Sequence, residues 1–104
     1  MDVQLRKGIL ELCVLAALRE GESYGYQIIK DISKNIEISE STLYPILRRL
    51  ETSGQVDSYQ TPHNNRLRKY YRQTESGYEA LAAFAEEKEK LIGVLNFITG
   101  VAEQ

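Results

Sequence analysis

Between Ser39 and Leu50 the chain reads SESTLYPILRRL, and the chemistry on offer there is recognition rather than catalysis. At about 100° per residue, a helix would place Leu43, Ile46, Leu47 and Leu50 on one side and Ser41, Thr42, Tyr44, Pro45, Arg48 and Arg49 on the other. The second side carries hydroxyls, a phenol and two guanidiniums but no carboxylate, an inventory suited to phosphate oxygens and base edges in a DNA major groove. An ordinary amphipathic helix with a solvated polar side would show the same periodicity. A second concentration of such groups lies at Arg66 to Arg72 (RLRKYYR), where Arg66, Arg68 and Lys69 stand among tyrosines.

Net charge alone argues against nucleic acid, because the 104 residues carry a formal charge of −2 with a pI near 5.4. The distribution reverses that reading. Residues 48 to 72 hold six bases against two acids, whereas residues 73 to 104 hold two bases against six acids. A basic surface is thereby segregated from an acidic remainder, and segregation matters more than the sum for binding DNA.

Other function classes lack their residues. Cys13 and His63 are the only cysteine and histidine, so no intramolecular disulfide, Cys/His pair or zinc cluster follows, and no metal or other cofactor is expected. His63 reads as a solvated turn residue and Cys13 as a small buried hydrophobe. There is no glycine-rich phosphate loop and no nucleophile elbow, hence no enzyme signature. Arg6 and Lys7 followed by an apolar run imitate a signal peptide, but Glu11 interrupts the run and no small-residue cleavage site follows. The run is also too short to cross a bilayer, which leaves a cytoplasmic reading without a membrane partner.

The elements that must position these residues follow from periodicity. Leu5 to Arg19 is apolar almost all round, predicting a helix buried on more than one side and ended by Gly21. Ser23 is a candidate cap for a second helix over Tyr24 to Lys34, in which Gly25 would let another backbone come close. A short strand at Ile36 to Ile38 leads to the helix capped by Ser39, so the spacing is that of a helix-turn-helix. Pro45 should bend that helix or loosen its first turns. Gln55 to Thr61 and Arg68 to Gln73 alternate, with Pro62, His63, Asn64 and Asn65 between them, which predicts a hairpin or wing.

Thr74 then caps a helix running to about Thr99, nearly 40 Å at about 1.5 Å per residue. Tyr78, Leu81, Ala85, Ile92 and Leu95 recur along one side, with Glu86 and Lys90 spaced to pair. Leu91, Ile92, Val94, Leu95, Phe97 and Ile98 are too many apolar residues to leave in water. A homodimer is expected, built from Leu91, Ile92, Leu95 and Ile98 together with Leu12 and Leu15 of the first helix. The fold class is mainly α with a small β-hairpin: a winged helix-turn-helix over residues 1–73 and a long C-terminal dimerisation helix over residues 74–104.

Four motifs in order carry a resemblance across nearly all of residues 5 to 78. They are Gly8-Ile9-Leu10-Glu11-Leu12, Tyr24-Gly25-Tyr26, the run from Thr42 to Glu51 (TLYPILRRLE), and Arg68-Lys69-Tyr70-Tyr71 followed by Thr74-Glu75-Ser76-Gly77. Together they resemble the PadR family of bacterial transcriptional regulators, in its small subgroup with one terminal helix. Ser41, Ser23 and Gln73 depart from the family's usual glycine, proline and apolar residue. The resemblance implies a repressor that releases double-stranded DNA when a small molecule or another signal acts, with ligands entering at or near the dimer interface. There Phe84 and Phe97 could line a space or simply pack. The alternative function is a winged-helix module for protein interaction that has lost DNA binding.

Overall fold

The computed structural model describes residues 1–101. Asp2 caps the first helix, α1 (Val3–Ala17), by accepting from the backbone N–H groups of Gln4 and Leu5. The apolar faces of α1, of α2 (Gly25–Ile32) and of α3 (Glu40–Thr52) converge on one core. Leu10, Val14 and Leu18 meet Ile28 and Ile32, and Leu43, Leu47 and Leu50 close it from α3.

Local details differ from the periodicity in two places. Ser23 does not cap α2. It lies with Tyr24 in a two-residue strand, β1 (Ser23–Tyr24), which pairs antiparallel with the hairpin at Tyr71 and Tyr70. The backbone of Ser23 therefore belongs to a sheet ladder, and Tyr24 takes the cap position without a side-chain bond. No strand forms at Ile36 to Ile38, where Ile38 instead drops into the core from an irregular connection.

The wing consists of β2 (Val56–His63) and β3 (Arg66–Gln73), joined by the two-residue turn Asn64-Asn65. Both asparagines have positive φ, 51° and 64°, the left-handed pair that a tight hairpin turn demands and that asparagine tolerates. Pro62 and His63, expected in the turn, extend β2 opposite Leu67 and Arg66. Proline is admissible there because the strand order is β1-β3-β2, which makes β2 an edge.

Thr74 begins α4 (Glu75–Glu86) as expected: its hydroxyl donates to the Gly54 carbonyl at 2.6 Å and accepts from the N–H of Gly77. Gly77 is needed for this junction. A Cβ there would stand 2.5 Å from the Gln55 carbonyl oxygen. Gln73 is buried beside it, donating to the Leu15 carbonyl at 3.0 Å, so a polar residue occupies the usual apolar position by bonding an α1 backbone group.

The single terminal helix is corrected to two. The chain turns at Glu87, whose N–H bonds the Phe84 carbonyl in a tighter pattern, and α5 (Lys88–Thr99) follows, ended by Gly100 in the left-handed conformation. The charged run at 86–90 coincides with the break, and no ion pair joins Glu86 to Lys90 among the described residues. α4 packs on α1 through Ala80 and Leu81, while α5 has no buried residue. The molecule is drawn out to 57 × 26 × 21 Å.

Candidate nucleic-acid interface

The exposed side of α3 divides into a centre and two flanks. At about 100° per residue, Ser41, Pro45 and Arg48 point straight outward, and all three are exposed. Thr42 and Arg49 form the flank facing α1. Arg49 holds the Glu11 carboxylate through Nε and Nη2, so its charge is engaged within the protein. Tyr44 forms the flank facing the wing together with Glu51, whose carboxylate accepts from Ser58 Oγ at 2.9 Å and lies 3.4 Å from Lys69 Nζ. Arg48 is the guanidinium of α3 left open for an external acceptor, since no side-chain acceptor meets it among the described residues.

The hairpin positions its bases on aromatic rings. Tyr71 and Gln73 face the core. On the opposite side of the sheet Tyr70 stacks on Tyr59 with centroids 5.6 Å apart and meets Tyr24 edge-on at 5.7 Å. Arg68 lies over Tyr24 at 4.1 Å, where the ring face attracts the cation without consuming its outward N–H groups, and Arg72 lies over Tyr59 at 5.7 Å with its Nε 3.9 Å from the Asp57 carboxylate. Tyr59 donates to the Glu22 carboxylate, which pushes its phenol pKa up. Burial pushes the Tyr71 phenol up to about 12, with the Glu51 charge adding to the effect.

Between α3 and the wing lies a cleft of about 670 Å³. Tyr44 lines it from α3, Tyr24, Gly25 and Tyr26 from the start of α2, and Arg66, Arg68 and Lys69 from the wing. No carboxylate is among its lining residues. The structure thus brings Tyr44 together with all three wing bases that the sequence singled out, and it sets Thr42, Pro45 and Arg49 on a different groove. That second groove, about 460 Å³, is shared with Arg6 and Lys7 of α1. In the sequence these two bases form only the start of a stretch that imitates a signal peptide. Their place beside α3 depends on how α1 crosses it, and no local pattern encodes that crossing.

Of the expected subunit-contact residues, Leu91, Ile92, Leu95 and Ile98 are exposed on α5 and Leu12 is half-buried on α1. Leu15 is corrected. It is 2% exposed and belongs to the core of the single chain, because the α1 face that carries it is covered from within. Leu12 instead lines an apolar groove of about 250 Å³ between α1 and α4, with Ile9, Leu81 and Phe84. No group of metal-ligating side chains occurs among the described residues, and no described helix is long and apolar enough to cross a membrane.

Comparison with known proteins agrees with this geometry. The family model described as "Transcriptional regulator PadR-like family" matches residues 14–83. A transcriptional regulator of Mycobacterium tuberculosis is 30% identical over 89 residues, covering 85% of this chain and 83% of its own. Among solved structures, a PadR family transcriptional regulator from Eggerthella lenta superposes with a TM-score of 0.82 at 34% identity, covering 96% of this chain and 89% of the other. Bacillus subtilis PadR, solved in complex with operator DNA, superposes with a TM-score of 0.70 at 27% identity, over 74% of this chain and 46% of the other.

Proposed function

This chain belongs to the PadR-like family of transcriptional regulators, and from that premise we propose that it is a homodimeric, sequence-specific DNA-binding repressor responsive to a small-molecule effector. The observation that carries the reading is the cleft beside α3, which Tyr44 lines from the helix and Arg66, Arg68 and Lys69 line from the wing, with no carboxylate among its lining residues. The helix enters the major groove with Arg48 and Ser41 leading, and the wing follows the phosphate backbone. Bacillus subtilis PadR, whose fold this chain shares, is known bound to operator DNA, which supports the same use here.

The bare apolar side of α5 supports the dimer, and a two-fold dimer reads an inverted repeat with half-sites about 34 Å apart or a small multiple of that. The effector acts at the dimer interface, near the groove lined by Leu12 and Phe84. Binding to random duplex and to selected genomic fragments, measured over a range of salt, tests the reading. Phosphate contacts require log affinity to fall steeply and linearly with log salt. Absence of binding, or binding indifferent to salt, would replace it with the protein-interaction module.

A further inference from the structure

Gly25 was expected to admit another backbone, but what comes close is the side chain of Tyr44. A Cβ on Gly25 would stand 2.2 Å from the Tyr44 hydroxyl oxygen, 2.9 Å from Cζ and 3.4 Å from Cε1. Real Cβ atoms do not approach so closely, so the ring occupies this place only because position 25 has no side chain. Tyr44, on the wing-facing flank of α3, thereby lays its ring across the start of α2. Its hydroxyl has no hydrogen-bond partner among the described residues, and it borders the cleft that Arg66, Arg68 and Lys69 line from the other side.

We propose that Gly25 is a notch that seats the Tyr44 phenol in the cleft between α3 and the wing, so that Tyr44 meets the DNA sugar-phosphate strand rather than a base edge. The inference rests on the DNA-binding reading above and divides the polar side of α3 by task. Arg48 and Ser41, at the centre, reach the groove floor. Tyr44, held back, shares with the three wing bases the strand that passes between helix and hairpin. A phenol in that position donates to a phosphate oxygen and carries no sequence information.

A double-mutant cycle tests this. Affinities of wild type, Gly25→Ala, Tyr44→Ala and the double variant are measured on an operator fragment and on random duplex of the same length, with circular dichroism and sedimentation run on each. Gly25→Ala and Tyr44→Ala should each weaken both DNAs by a similar factor, about tenfold, leaving the operator-to-random ratio unchanged. The double variant should bind like Tyr44→Ala alone, because Gly25 acts only through the ring it seats. Equal affinities of Gly25→Ala and wild type would overturn the proposal. So would a further tenfold loss on adding Gly25→Ala to Tyr44→Ala, or a loss by Tyr44→Ala confined to the operator. Should Gly25→Ala unfold the protein, the comparison of Tyr44→Phe with wild type on the two DNAs decides the phenol's role by itself. Failure of wild type to bind either DNA would instead overturn the DNA-binding reading.

Discussion

α3 and α5 are nearly equal in length, 13 and 12 residues, and they stand in opposite relations to the core. α3 buries Leu43, Ile46, Leu47 and Leu50, so its polar side is held on a packed base. α5 carries six large apolar residues between Leu91 and Ile98, from 39% exposed at Leu91 to 84% at Phe97, and buries none. The first helix is complete within one chain. The second leaves its apolar residues uncovered within the chain, and these are the residues that the proposed dimer would bury.

The contrast is tested most strongly by charging the unfinished helix. Leu95→Arg would leave an unpaired charge in the proposed interface, costing on the order of 3 to 5 kcal/mol of association. Sedimentation should find a dimer for wild type at micromolar concentration and a monomer for the variant, and a monomeric wild type would remove the interface. Within the finished helix, Leu47→Ala should lower unfolding stability by about 2 to 5 kcal/mol, because Leu47 has no exposed surface and the cavity cannot close fully. Denaturant melts at matched protein concentration would measure it.

The buried phenol of Tyr71 supplies a pH signature for the same core. Its pKa in the folded chain lies above its ordinary value of 10.0, at about 12. Its contribution is therefore fully present below pH 10 and is lost as pH rises through 12, an effect on the order of 2 to 3 kcal/mol. Tyr71→Phe should flatten that part of the stability profile.

Smaller effects concern the polar side of α3. Arg48→Ala should cost about 1 to 3 kcal/mol on the operator and relax preference at particular base pairs. Lys69→Ala should weaken operator and random duplex alike and lower the salt slope by about one unit. Glu11→Gln should change stability by no more than about 1 kcal/mol, since the Arg49 pair is partly exposed to solvent. It also removes the negative charge that offsets Arg49. A gain in affinity for random duplex would therefore place the α1 flank of α3 within reach of DNA, and unchanged affinity would restrict DNA to the centre and the wing side.

Local chemistry was legible wherever one residue's intrinsic preference decided the outcome. Thr74 as a cap, Gly100 as a stop, the amphipathic split of α3 and the alternation of β3 are all properties of a few neighbouring residues. Ser23 was misread for the complementary reason. A serine before a helix satisfies the cap pattern equally well whether its backbone is free or, as here, paired with Tyr71 across a sheet. The break at Glu87 escaped because helical periodicity continues in phase on both sides of it.

Sequence by itself therefore determined the main helices and the hairpin, the segregation of basic from acidic charge and the face of α3 that meets the outside. Tertiary structure alone decided which of those outward residues share a surface. The crossing of α1 over α3 engages Arg49 with Glu11, the fold of the wing sets Lys69 against Glu51, and the absence of one Cβ at Gly25 seats Tyr44 opposite the wing bases. Each of these contacts joins residues far apart in the chain, at distances fixed by packing between elements, and packing is a property of the whole core rather than of any local run of residues.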